Sequence, residues 1–167
     1  TYLRNQFDPH ALRAGLGERF EFEALSYKPY PCCRFNHTAI DAALDIRSRS
    51  GFQPESIRRI IASTNRQAFE AVCTPPDMRR APKTVVQAQF SIPYTIACAL
   101  QDGAAGLGHF TQDSLARSDL QKLAGLTECR IDEEIEKNWS RNISPTHLRI
   151  ETDAVSYTHL RAHETRE

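Results

Sequence analysis

Apolar and polar residues recur with strand and helix periods along most of this 167-residue chain. Residues 18–25 alternate apolar and polar side chains, and residues 57–64 are rich in β-branched side chains, so each segment is predicted to form a strand. Two further short strands are predicted at 127–131 and 147–153. Residues 132–139 are polar and have the composition of a helical turn.

Two helices carry clear start and stop signals. An apolar stripe through Ile40, Ala43 and Leu44 predicts a helix that Asn36 caps and Gly51 ends. The second helix starts at Ser91, a good N-cap, accepts Pro93 in its first turn and stops at Gly103. Its small apolar residues indicate a core helix.

A third helix is predicted over residues 111–124, and a long irregular loop over residues 73–87. The helix is amphipathic, and its inward positions are Leu115, Leu120 and Leu123. The loop carries three prolines, and loops of this length inside compact domains are often functional.

Strands and helices do not alternate regularly along the chain. We therefore predict an α+β fold, an antiparallel sheet with helices packed on it, rather than a doubly wound sheet. This domain is assigned to residues 18–153, and residues 1–17 form the end of a preceding helical element. Residues 154–167 resemble a translated sequencing-adapter tail, so we expect this segment to be non-native and leave it out of the fold prediction.

Composition narrows the class of protein. Lysine plus arginine equals aspartate plus glutamate, and this zero net charge argues against nucleic-acid binding. No apolar run is long enough to cross a bilayer, and no secretory leader is visible. We therefore expect a cytoplasmic protein. Because the first residue is Thr1, we also expect an internal or truncated piece of a longer chain.

Five cysteines are present, an odd number at irregular spacing. We interpret them as reduced, partly buried thiols of a cytosolic protein. The alternative is a metal site built from Cys32, Cys33, His37 and Cys73. That set lacks a C-x-x-C pair, which disfavours it.

The stretch from Ser26 to His37 is the strongest candidate for chemistry. Its two X-Pro steps stiffen the backbone and deliver Lys28, Arg34 and His37 to one region at a helix start, where anions are often bound. A lysine beside a substrate carboxylate stabilises an enolate-like transition state, and a histidine can relay the proton. The alternative for His37 is a hydrogen bond to the loop backbone.

Further cations lie in the proline-rich loop. Arg79, Arg80 and Lys83 are candidates for binding a carboxylate substrate. The alternative is a solvated surface, which is the commoner fate of short basic pairs.

Two segments in this order resemble motifs of the MmgE/PrpD family, whose members include 2-methylcitrate dehydratase, cis-aconitate decarboxylase and iminodisuccinate epimerase. They are YKPYPCCRFNHTAIDAAL at 27–44 and QFSIPYTIACALQDG at 89–103. The resemblance covers about residues 16–153. It implies a large all-helical domain and a smaller α+β lid, of which this chain would be the lid plus a short end of the helical domain.

The resemblance also implies an activity. It predicts a lyase or isomerase, 2-methylcitrate dehydratase-like, that acts on small di- or tricarboxylic acids without a metal or other cofactor. The site would lie between the lid and the helical domain, which supplies the main histidine and aspartate, and the parent protein would be a homodimer. Lys28 and His37 match site residues of the lid. Phe69 stands where the decarboxylase has a tyrosine, which argues against decarboxylation.

Two alternatives from other classes stay open. One is a non-catalytic α+β module that binds a carboxylate ligand or a partner subunit. The other is a thiol or metal protein that uses Cys32, Cys33 and His37. As an isolated fragment, the chain is expected to be inactive.

Overall fold

A four-stranded sheet organises the part of the chain that the computed structural model describes, residues 8–11, 13–25, 27–138, 144–153 and 155–161. The order of its strands is β2-β1-β3-β4. The pairs β1–β3 and β3–β4 are antiparallel, and β1–β2 is parallel. The strands are β1 (Ile57–Thr64), β2 (Thr127–Ile131), β3 (Thr146–Thr152) and β4 (Ser156–Arg161).

One helix precedes β1, seven others lie between β1 and β3, and these described helices confirm the α+β class. Helix α1 packs on β3 and β4, and α5 packs between α1 and α7. The helices are α1 (His37–Arg47), α2 (Arg66–Val72), α3 (Pro76–Arg80), α4 (Val85–Gln89), α5 (Ile92–Asp102), α6 (Gln112–Leu115), α7 (Ser118–Gly125) and α8 (Glu133–Asn138). Among the described residues, no helix has the length and apolar character needed to cross a membrane.

The core lies between these helices and one face of the sheet. Ile60, Leu148 and Ile150 are fully buried on that face, and Ile40 and Ile96 oppose them from α1 and α5. All three leucines predicted to face inward from residues 111–124 are buried. The segment forms two short helices instead of one, because the chain leaves the helix at Ala116 and Arg117.

The predicted start and stop of α5 are confirmed. Ser91 is fully buried, and its Oγ accepts a hydrogen bond from the Tyr94 backbone N–H at 3.0 Å. Gly103 ends the helix with φ +70°, a left-handed conformation that disfavours residues with a Cβ atom.

Asn36 directly precedes α1, as predicted, but its side chain does not cap the helix, and Gly51 does not end it. Asn36 has helical backbone angles, since a 3₁₀ turn at Arg34–Asn36 leads straight into α1. Its side chain makes no capping bond and donates instead to the Gln89 carbonyl. Helix α1 ends at Arg47, and Gly51 lies in the turn beyond it.

Two other local predictions are wrong. Residues 18–25 contain a 3₁₀ turn at Glu21–Ala24 and no strand, because Phe20 and Phe22 are exposed and the segment pairs with no strand of the described sheet. Residues 73–87 are not wholly irregular, since α3 and most of α4 lie within this range.

Strand β4 comes from the segment that we left out of the fold prediction. It pairs with β3 along its length, and His159 contacts Asp45 of α1 through Nδ1 at 3.0 Å. The described fold therefore includes residues 155–161. The assignment of residues 154–167 as an adapter-like tail stays a prediction.

Candidate functional site

An open cleft of about 600 Å³ lies along the stiff loop that precedes α1, at residues 27–36. Its walls combine the loop itself with the end of α4 and a single residue from the turn after α5. Lys28 is the one cation among the described residues that line it, and it is exposed. The lining residues are Lys28, Pro29, Tyr30, Pro31, Cys32, Cys33, Gln89, Phe90 and Leu107.

Gln89 holds the loop in place from α4. Its backbone carbonyl accepts hydrogen bonds from the Cys33 N–H at 2.8 Å and from Asn36 Nδ2 at 2.9 Å. Its side-chain Nε2 donates to the Pro31 carbonyl at 2.9 Å. No sequence signal marked Gln89 as a site residue, although it is the first residue of the second family motif.

Tyr30 connects the cleft to the interior. Its hydroxyl donates to Asp41 Oδ1 of α1 at 2.5 Å, and its ring meets the His37 ring edge to face, with centroids 5.2 Å apart. Edge-to-face contact is a favoured arrangement of aromatic pairs. Tyr30 therefore forms the wall between the cleft and His37.

His37 lies behind this wall as the first residue of α1 and is fully buried. Its Nδ1 accepts from the Arg34 guanidinium at 3.2 Å. The structure thus brings Arg34 and His37 together, as the sequence predicted. It places Lys28 on the cleft side of Tyr30, while neither Arg34 nor His37 lines the cleft.

The vicinal cysteines are packing residues with cleft access. Cys32 is buried in the core, and Cys33 is half-buried against it. Burial raises the pKa of the Cys32 thiol to about 11, although Asn36 and Lys28 act in the opposite direction. Cys32 is therefore a neutral thiol at physiological pH. Among the described residues, no group of three His, Cys, Asp or Glu side chains could hold a metal ion.

The loop predicted at residues 73–87 carries three candidate cations, and all three lie away from the cleft beside Lys28. Arg79 donates to the carbonyls of Thr74 and Ala71, and Arg80 donates to the Thr127 carbonyl at 2.8 Å. These contacts tie α3 to its surroundings. Lys83 lines a different cavity, and its substrate-binding role, like those of Arg79 and Arg80, stays a prediction.

An ionic cluster beside α5 was not anticipated from the sequence. Asp102 accepts two hydrogen bonds from Arg117, and His109 Nε2 lies 3.0 Å from Asp102 Oδ2. The Arg117 hydrogen bonds hold the pKa of Asp102 below its usual range, although burial opposes them. Tyr94 reaches the same region, where its hydroxyl donates to the His109 carbonyl at 2.6 Å. The cluster fixes the turn that carries Leu107.

Phe69 also lies away from the cleft. It belongs to α2, not to a strand, and lines a small cavity with Cys73 and Cys129. The structure therefore does not place this position beside Lys28.

The fold and the loop cleft define an α+β domain with a cationic, apolar-walled surface site. The sequence profile of the MmgE/PrpD C-terminal domain matches residues 30–165, well over half of the chain. The chain therefore belongs to the MmgE/PrpD family, and it contains the C-terminal domain. Lys28 lies two residues before the matched range. No curated protein matches the chain significantly.

Proposed function

We propose that this domain is the lid of a lyase or isomerase that acts on small di- or tricarboxylic acids, with a 2-methylcitrate dehydratase-like reaction as the first candidate. The observation that carries the proposal is the position of Lys28. It is an exposed ammonium group at the edge of a cleft with apolar walls, on a loop that Gln89 and Asp41 hold in place. An ammonium group at such a cleft binds a carboxylate and stabilises charge that develops beside it.

The cleft supports a site divided between two domains, of which this domain supplies one half. A proton transfer needs a base within hydrogen-bond reach of the reacting carbon, and His37 is buried behind Tyr30. We therefore assign Lys28 to substrate binding and catalysis, and His37 to positioning of Tyr30 and Arg34. The acid–base groups would come from a helical domain that closes over the cleft.

Exposed apolar side chains support a partner domain. Phe90 and Leu107 line the cleft, and Leu107 is 80% exposed. Tyr27 beside Lys28 is also largely exposed. Contiguous exposed apolar surface often marks an interaction site. A helical domain seated here would shield the Lys28 ammonium from water and strengthen its interaction with a carboxylate.

The alternative, a non-catalytic carboxylate-binding or subunit-interaction module, would use the same apolar surface. An inward-packed Lys28 remote from any cleft would have favoured it. The exposed position of Lys28 at the cleft supports the enzyme instead.

The decisive experiment uses the full-length protein that carries this domain, with 2-methylcitrate, cis-aconitate and iminodisuccinate as substrates. Lys28→Ala should lower kcat/KM for the accepted substrate at least ~100-fold, by the loss of a charge-stabilising group. Its unfolding midpoint should stay unchanged because the side chain is exposed. Lys28→Arg should retain more activity than Lys28→Ala.

Lys122→Ala is the matched control, because Lys122 is an exposed lysine of α7 that does not line the cleft. Equal turnover by wild type and Lys28→Ala would show that Lys28 takes no part in substrate binding or catalysis. Absence of turnover with all three substrates, together with saturable carboxylate binding, would favour the binding module.

A further inference from the structure

We propose that Cys73 and Cys129 form a reversible redox pair, in which a low-molecular-weight disulfide converts the two thiols into an intramolecular disulfide. This modification site is separate from the Lys28 cleft and does not depend on the proposed lyase activity. Both cysteines are free thiols, and both line one cavity of about 30 Å³.

The two thiols differ in accessibility. Cys73 is the residue that ends α2 and is 2% exposed. Cys129 lies in β2, which is an edge strand of the described sheet, and is half-buried. A small oxidant therefore reaches the Cys129 thiol before the less accessible Cys73 thiol.

The thiols also contact each other. The interaction with the Cys129 thiol is the largest cause of a raised pKa of Cys73, and burial adds to it. The raised pKa keeps the Cys73 thiol protonated at neutral pH, so the more accessible Cys129 makes the first attack on an oxidant.

Arginine contacts fix the backbone around the pair. Arg80 donates to the carbonyl of Thr127, two residues before Cys129. Arg79 donates to the carbonyl of Thr74, the residue after Cys73. The segment that carries Cys73 is thus held beside β2, where both cysteines line one cavity. These bonds also give a structural role to two arginines that the sequence analysis placed in substrate binding.

The disulfide forms by two thiol–disulfide exchange steps, with glutathione disulfide as the oxidant. The Cys129 thiolate attacks one glutathione sulfur, the glutathione S–S bond breaks, and one glutathione leaves as the thiolate. Cys73 then passes its proton to the departed glutathione thiolate, and the Cys73 thiolate attacks the Cys129 sulfur, which expels the second glutathione as a thiolate that solvent protonates. Two protein thiols are oxidised, and one glutathione disulfide is reduced to two glutathiones.

The test equilibrates the whole chain in glutathione buffers of increasing oxidation and maps disulfides by mass spectrometry after differential alkylation. We expect a Cys73–Cys129 disulfide that dithiothreitol reverses. Because the disulfide closes a long loop, oxidation should raise the thermal unfolding midpoint by roughly 5–10 °C. Cys129→Ser should abolish this shift. Cys98→Ser, at another buried cysteine, is the matched control and should retain it.

Several outcomes would overturn the proposal. The first is that both thiols can still be alkylated under oxidising conditions, and the second is a Cys129–glutathione adduct that Cys73 does not resolve. The third is pairing of either residue with Cys32, Cys33 or Cys98. The fourth is a disulfide that forms only in denaturant. Disulfide mapping is done on the wild-type chain, so the result does not depend on the folding of a variant.

Discussion

The Tyr30 hydroxyl donates a hydrogen bond of 2.5 Å to Asp41, and this bond fastens the loop at residues 27–36 to α1. The two residues are 11 positions apart, on different elements. Through this bond α1 restrains the position of Tyr30, which lines the cleft. The orientation of the loop is therefore set by α1 and by Gln89, and not by its prolines alone.

Replacing Tyr30 by phenylalanine should loosen this loop without unfolding the domain. The variant keeps the ring contact with His37 and loses only the bond to Asp41, which should cost about 1 kcal/mol of unfolding free energy. Hydrogen exchange at the Cys32 and Cys33 amides should become faster. Tyr27→Phe is the control, because Tyr27 is 81% exposed. Unchanged exchange in Tyr30→Phe would show that Gln89 alone fixes the loop.

Ser91 should be among the polar residues most sensitive to truncation. Its Oγ accepts from the Tyr94 N–H and donates to the Arg79 carbonyl, and the residue is fully buried. Ser91→Ala removes a helix cap, and it takes a hydrogen-bond partner from the buried Tyr94 N–H and from the half-buried Arg79 carbonyl, so the free energy of unfolding should fall by about 2 kcal/mol. Urea unfolding followed by circular dichroism measures this.

Thr84 provides the comparison for Ser91. Its Oγ1 caps α4 through the Gln87 N–H at 3.2 Å, but the residue is exposed. Thr84→Ala should therefore cost about 0.5–1 kcal/mol, because water replaces the lost acceptor. Equal losses at the two caps would contradict the burial argument.

Local signals allowed α5 and β1 to be predicted from the sequence. Ser91 and Gly103 mark the ends of α5, and the β-branched residues of 57–64 match β1. The strand predicted at 18–25 failed although its alternation is present, because a strand also needs a pairing partner that no local pattern can show. Thr38 illustrates the same limit, since its hydroxyl donates to the carbonyl of Ser144, 106 positions away.

The candidate site was predicted in part for the same reason. The stiff loop places Lys28 at a cleft, because its prolines act locally, and the role of Lys28 in a site stays a prediction. The pattern could not show that His37 faces the interior, or that Arg79 and Arg80 bond to backbone carbonyls. Both facts depend on which elements meet in space. Cys73 and Cys129, which the sequence treats as isolated thiols, become neighbours only through the packing of α2 on β2.

Gly103 should not tolerate a side chain. Its φ is +70°, and a Cβ atom would lie 3.0 Å from Arg47 Nε, whose guanidinium also donates to the Leu100 carbonyl. Gly103→Ala should lower the free energy of unfolding by about 1–2 kcal/mol through backbone strain and displacement of Arg47. Gly108→Ala is the control, because a Cβ atom there would meet nothing within 4 Å. Thermal unfolding distinguishes the two, and equal midpoints would contradict the strain argument.

The Asp102–Arg117 pair should contribute stability that depends on pH. Arg117 holds the pKa of Asp102 below its usual range through two hydrogen bonds. Because the pKa is lower in the folded state than in the unfolded state, the contribution is fully present above the unfolded value of about 3.9. It is lost as the pH falls through the folded value. The pair is partly solvated, so its worth at neutral pH should not exceed about 1 kcal/mol.

Asp102→Asn tests this linkage. The variant should be less stable than wild type at pH 7, and the difference should shrink as the pH falls below about 4, because Asp102 of the unfolded wild type takes up a proton before Asp102 of the folded protein does. Glu70→Gln is the control, because Glu70 makes no ion pair with the described residues and lies on the exposed side of α2. Urea unfolding at a series of pH values measures both variants. A difference for Asp102→Asn that stays constant down to pH 3 would mean that the carboxylate charge contributes nothing, and that the cost comes from altered hydrogen bonding to Arg117 and His109.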